Sequence, residues 1–187
     1  YIKTVAAIAA SFVLMLSAGG MVYSYPVMYV GIDINPSIEI GVNVFERVLS
    51  INGSNLDGQE FIKHTDVKNQ GLNKVFEEIL IKAESEGYIE NDDNGICISI
   101  YANNEKRANV FKEKAMAIAE KSEKIDKDSL VIEKGSRENL EIARTQGVSI
   151  AKSRLINKAL EATPEVTKQM LIDKPVTVIQ NYTANKR

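Results

Sequence analysis

A single cysteine excludes an internal disulfide, and a single histidine, His64, rules out a multi-histidine metal site and makes a His-dependent catalytic triad unpromising. No internal repeat and no low-complexity tract interrupts the chain. Neither sign of charge dominates: a net charge of -2 is too small to announce a nucleic-acid or acidic-substrate partner. No phosphate loop and no nucleophile–base pair stands out, which disfavours a conventional trans-acting enzyme, and no metal or cofactor is expected. The acidic run Asn91-Asp92-Asp93-Asn94-Gly95 invites calcium, yet it lacks the alternating ligands and closing glutamate of a calcium loop. Cys97, inside the apolar run GICISIY, reads as a buried, inert thiol.

Charge is missing altogether from Val5 to Val30. As a helix, Val5 to Tyr25 alone would extend about 31 Å, matching the hydrocarbon core of a bilayer. The apolar run continues through Met21, Val22, Tyr23 and Tyr25, with Tyr29 beyond, and tyrosines there suit a membrane–water interface. The alternative is a cleaved signal peptide, with Lys3 as its positive end and Ser17-Ala18-Gly19-Gly20 near a cleavage point. With a retained anchor, Lys3 places the N-terminus in the cytoplasm and the remainder outside. The chain begins at Tyr1 and not at a methionine, so it reads as a piece of a longer protein. What remains after the anchor suffices for one ordinary domain.

The stretch from Tyr29 to Phe45, YVGIDINPSIEIGVNVF, organises that domain. Apolar residues occupy the even positions Val30, Ile32, Ile34, Ile38, Ile40, Val42 and Val44, an alternation that predicts β-structure with one buried face. Pro36 cannot donate to a ladder, which favours two strands joined at Asn35-Pro36-Ser37, although one long kinked strand preserves the same parity. Further on, Arg47 to Ile51 and Ile96 to Tyr101 read as strands, as does Ser129 to Glu133. Between the first and second of these strands lies an amphipathic helix at about Val67–Glu86, stopped by Gly87, and between the second and third another at about Glu105–Lys124. The stretch up to Thr65 reads as a polar connection. Ser136 and Ser149 cap two helices separated at Gly147, the second reaching about Ala162. Thr163-Pro164-Glu165 signals another helix start, running to Ile172, and Val176 to Ile179 suggests a last strand. The fold class is therefore α+β: a single N-terminal transmembrane helix, then one mixed α/β domain in which several helices pack a small sheet. The expected organisation is an anchor over residues 1–26, an extracytoplasmic domain over 27–180 and the start of a linker over 181–187.

Two chemistries compete. The helix pair from Glu138 to Leu160, with Lys152, Arg154 and Lys158 on its second member, has the spacing of a DNA-reading helix-turn-helix. An outward topology removes that pair from DNA, so no direct nucleic-acid contact is expected. The other chemistry lies at Asn35-Pro36. A prolyl nitrogen carries no proton, which blocks ordinary Asn deamidation through the following backbone nitrogen. The open route is attack by the Asn35 side-chain nitrogen on its own carbonyl, closing a succinimide and expelling Pro36. Such a single-turnover, intramolecular step needs only geometry, to which pre-organisation can contribute about 7–11 kcal/mol. Asp33 is a candidate proton acceptor, Ser37 a candidate to orient the carbonyl or protonate the leaving nitrogen, and Glu39 a third supporting carboxylate. By itself an Asn-Pro pair is most often a plain turn, and an uncleaved membrane-anchored scaffold or binding domain is the alternative function.

The apolar span followed directly by YVGIDINPSIEIGVNVFERVLSIN resembles the extracytoplasmic region of RsgI-type anti-sigma factors of Gram-positive bacteria, and VSIAKSRLINKAL resembles that family's helical portion. The resemblance implies a single-pass cell-membrane protein, and a sigma-I-type factor held by a cytoplasmic domain that this sequence lacks. It also implies a C-terminal sensor module, often carbohydrate-binding, that is likewise outside it. By the same resemblance, cleavage maps to Asn35-Pro36, the halves stay associated, and release exposes the membrane stub to an intramembrane protease that frees the sigma factor.

Overall fold

The computed structural model describes residues 2–89, 95–125 and 130–184. The run from Asn91 to Asn94, considered above for calcium, lies outside the described residues. Helix α1 (Ile2–Ser24) leads through Pro26 into strand β1 (Met28–Asp33). Strands β2 (Ser37–Val42) and β3 (Val48–Gly53) complete an antiparallel meander. Then come α2 (Leu56–Phe61), α3 (Leu72–Ser85), β4 (Ile96–Ala102), α4 (Glu105–Ala119) and β5 (Leu130–Lys134). Four helices finish the described chain: α5 (Arg137–Thr145), α6 (Ile150–Ala162), α7 (Lys168–Ile172) and α8 (Val176–Ala184).

The sheet order is β3-β2-β1-β4-β5, so β1 lies at its centre, antiparallel to both neighbours. β4 and β5 are parallel, as the intervening α4 crossover requires. The expected mixed α/β domain with a small sheet and several helices is what the chain builds, and Pro36 separates two strands as its missing donor demands.

One expectation of the alternation needs correction: both faces of the sheet are covered. The even face, with Val30, Ile32, Ile38, Ile40 and Ile98, packs with Val75, Phe76, Ile79, Phe111 and Ala115 of α3 and α4 in the main core. On the odd face Cys97 joins Ala151, Ile156, Ala159, Leu171 and Ile179 in a second cluster, while Tyr29 and Tyr101 pack on Leu140, Ala143 and Ile150. Small and polar residues at odd positions (Gly31, Asp33, Ser99) mark where helix α6 comes close, not where water is. A Cβ on Gly31 would stand 2.9 Å from Ser149 Cβ.

Local chemistry explains the element ends. Gly87 and Gly147 both take positive φ (78° and 67°) just past a helix, conformations an L side chain rarely adopts. Ser136 forms a capping box with Asn139, and Ser149 accepts the Lys152 amide. Three expectations fail. The polar connection contains α2, whose cap Asn55 accepts from the Gly58 amide. Thr163-Pro164-Glu165 forms a turn, with the Val166 amide donating to the Thr163 carbonyl, and the helix begins at Lys168. The supposed last strand from Val176 is helix α8, because Val176 and Ile179, three apart, both turn into the second cluster, with Tyr182 packed beside them.

Candidate functional site

Ile34, Asn35 and Pro36 form the tight connection between the central strand and β2. Its closure is fixed: Asp33 pairs with Ser37 in register, and the Ile34 amide donates to the Pro36 carbonyl at 2.9 Å. Turning the chain in three residues puts Asn35 at φ 72°. Asparagine tolerates the left-handed region better than most residues, yet a residue before proline prefers extended backbone. Backbone held in sparsely populated regions stores of the order of 1–3 kcal/mol. Both flanking residues, Ile34 and Pro36, are buried, while Asn35 is half-buried.

The two sides of the Asn35–Pro36 bond are held very differently. On the Pro36 side, Ser37 is clamped at both backbone polar atoms. Its amide donates to Asn55 Oδ1 at 3.1 Å, and its carbonyl accepts from the Ser54 amide at 2.8 Å. Gly58 packs against that carbonyl so closely that a Cβ there would stand 2.0 Å from the oxygen. On the other side, no partner among the described residues hydrogen-bonds the Asn35 side chain. An unpaired side-chain amide can turn onto its own carbonyl, and the clamp on Ser37 supplies the fixed side of the geometry that the succinimide route draws on.

Asp33 and Ser37, each essentially excluded from solvent, meet beside this bond: Ser37 Oγ donates to Asp33 Oδ1. The other carboxylate oxygen, Oδ2, accepts the Ser149 amide at 3.0 Å, from the cap of α6. The start of a helix carries partial positive charge, which suits a buried carboxylate. Lys152, only 1% exposed, sits in the first turn of the same helix. Both reach Cys97, the residue opposite Asp33 in β4. Burial chiefly, with Asp33 and Glu133 adding, pushes the Cys97 thiol far above its ordinary value, against the lowering pull of Lys152 and Lys158. The thiol is free and fully buried, as its sequence context suggested.

Glu39 lies elsewhere. It takes Arg144 as a fork, with Nε at 3.0 Å from Oε2 and Nη2 at 2.7 Å from Oε1, while the guanidinium covers Tyr29 at 4.5 Å. The hydrogen bond to Glu39 is the main influence raising the Arg144 pKa, which burial opposes. The structure thus brings Asn35, Pro36, Asp33 and Ser37 together and uses Glu39 to lock α5 onto β2. Sequence reasoning missed Ser149, Asn55 and Gly58. The first was read only as a cap, and the others lay in a stretch read as connection.

Residues 27–158, which span β1 through most of α6, match the family model described as the anti-sigma factor RsgI-like central domain. The chain belongs to the RsgI-like family. Over 180 residues it is 32% identical to anti-sigma-I factor RsgI7 of Acetivibrio thermocellus, covering 94% of this chain and 33% of that protein. It is also 31% identical to anti-sigma-I factor RsgI9 of the same organism, over 68% of this chain and 20% of that one. A shorter match, 34% identical over 34% of this chain and 15% of the relative, is to anti-sigma-I factor RsgI of Bacillus anthracis. The chain spans a third or less of the length of these three RsgI relatives. Helix α1, from Lys3 to Ser24, is long and apolar enough to cross a membrane. The competing DNA reading loses a cation here, since Lys152 is buried and Arg154 is tied to Glu133 at 3.0 Å.

Proposed function

We propose that this chain is the transmembrane signalling segment of a membrane-anchored anti-sigma factor and that it cuts itself between Asn35 and Pro36. In this reading α1 crosses the cell membrane with its N-terminus in the cytoplasm, where a further domain holds a sigma-I-type factor. The α/β domain lies outside, linked to a sensor module with carbohydrate-binding as one option. The observation that carries the cleavage is the contrast at one bond: a left-handed, unanchored Asn35 against a Ser37 clamped through Asn55 and Ser54.

The step balances without any added reactant. Asn35 Nδ2 attacks the Asn35 carbonyl carbon, the carbon–nitrogen bond to Pro36 breaks, Nδ2 loses a proton and the Pro36 nitrogen gains one. Asp33, whose two carboxylate oxygens accept from the Ser37 hydroxyl and the Ser149 amide, is assigned as the proton acceptor, and the Ser37 hydroxyl, one residue past the leaving nitrogen, as the donor. Afterwards α1 stays joined to β1 alone, and β1 stays paired to β2 and β4. Pulling β1 free would hand the membrane stub to an intramembrane protease and release the sigma factor.

Mass spectrometry of the purified chain tests this. The expected result is two fragments whose masses sum to that of the intact chain, the N-terminal one ending in a succinimide. Asn35→Ala is expected to leave one uncut chain. A wild-type chain that stays whole through prolonged incubation would leave the second reading, an uncut membrane-anchored scaffold, for which Asn35→Ala changes nothing but turn stability.

A further inference from the structure

The sheet end where α1 enters carries a surface that cleavage does not use. Asn43, fully buried, brackets the β2–β3 loop to the last turn of α1. Its Nδ2 donates to the Tyr23 carbonyl at 2.9 Å, while its Oδ1 accepts the amides of Phe45 at 2.9 Å and Arg47 at 3.0 Å. The bracket presents Phe45 outward, 60% exposed, with its ring 5.8 Å from that of Tyr23. Arg107 Nη1 donates to the Val44 carbonyl at 2.9 Å and holds the far side of the same loop. A large aromatic side chain held out in water on a loop whose amides are bracketed by a buried asparagine is an unusual use of structure.

Height decides what covers it. The span from Lys3 to Ser24 comprises 22 residues, about 33 Å at ~1.5 Å per residue, against a hydrocarbon core of about 30 Å. Any placement that buries this span puts Tyr23 at the headgroup boundary, and Phe45 stacks on Tyr23. The charges around it fit a phosphate-bearing surface. Glu46 is paired with Lys114 at 3.1 Å and Glu105 with Lys134 at 2.9 Å, so the two carboxylates next to Arg47 and Lys106 in sequence are already engaged. Arg47 and Lys106 stay exposed, the latter in a shallow cleft with Arg107, Val44 and Val110.

We infer that this base, Phe45 with Arg47 and Lys106, docks on the outer surface of the bilayer: the Phe45 ring enters the headgroup–acyl boundary beside Tyr23, and the two cations meet lipid phosphates. The inference rests on reading α1 as a membrane span. It adds that the domain does not swing on a free hinge at Pro26 but sits on the membrane at a fixed height.

The chain contains no tryptophan, so one introduced tryptophan reports cleanly. Full-length Phe45→Trp is reconstituted in phosphatidylcholine–phosphatidylglycerol vesicles, with or without brominated acyl chains. Val13→Trp, in mid-helix, and Leu56→Trp, exposed at the opposite end of β3, are the references. The expected result is bromine quenching and blue-shifted emission at positions 13 and 45, with neither at 56. Quenching at 13 but not at 45 overturns the docking and leaves the span intact; no quenching at 13 overturns both. Adding Arg47→Gln and Lys106→Gln to Phe45→Trp is expected to lower the docked-to-undocked ratio about fivefold per charge. An unchanged ratio overturns the role given to the cations.

Discussion

Ile32 offers the most direct measure of what holds a cut chain together. It is fully buried one residue from the end of β1, facing Ile38 in β2 and Ile98 in β4 in register. After cleavage, the membrane-side fragment keeps four buried side chains in the main core, Met28, Val30, Ile32 and Ile34. At about 1.5–3 kcal/mol each these contribute roughly 6–12 kcal/mol, beside the ladder bonds to both neighbours. Ile32→Ala removes a share of that and leaves a cavity, at a cost of about 2–5 kcal/mol. With tenfold per ~1.4 kcal/mol, the outer fragment should part from its anchor about 30- to 5,000-fold more readily. The assay holds vesicles by the anchor, scores the cut fraction by mass, and follows the outer fragment appearing in the wash. Ile81→Ala, at an exposed position on α3, is the control and should not change the release. Equal release from wild type and Ile32→Ala, both fully cut, would refute the idea that burial of β1 is the tether.

Three further outcomes follow from the geometry. Gly58→Ala forces a Cβ against the Ser37 carbonyl, so the clamp must shift; cleavage timed by gel should slow at least tenfold, and thermal melting should show a loss of about 1–3 kcal/mol. Cys97 keeps its proton when folded well above the pH at which the unfolded thiol ionises. The unfolded state therefore binds fewer protons above about pH 8.5, and stability should fall as pH rises past that point, by up to ~1.4 kcal/mol per pH unit. Denaturant titrations should show this slope in wild type and not in Cys97→Ala, and maleimide should label the thiol only after unfolding. Arg144→Lys loses the fork on Glu39 and the cover of Tyr29; a loss of about 1 kcal/mol in melts with an unchanged cleavage rate would separate the Glu39 lock from the cutting site.

Much of this was legible in the residues because local rules and the fold agree. Alternation gave β1 and β2, the missing proline donor gave the break between them, and Ser136, Ser149 and Gly147 gave α5 and α6. Where the reading went wrong, tertiary contact overrode the local signal. Val176 to Ile179 is β-branched and short, and only the apolar wall of α6 makes it a helix. Gly31, Asp33 and Ser99 look like a solvent face until α6 is laid across them. The bond itself could be named from the chemistry of Asn-Pro, but its surroundings could not. Ser149 lies 116 positions from Asp33, and no sequence spacing announces a helix cap arriving on a carboxylate from that distance.

The middle place of β1 has a consequence for what happens afterwards. Once that strip is drawn out, the outer piece is left with two raw margins, β2 and β4, each with unmet amides and carbonyls and a row of isoleucines open to water. Such a remnant has every reason to collapse or clump before a lost strip can find its slot again. Under the proposed function, a device built this way would fire once per molecule, and resetting the response would mean making new protein.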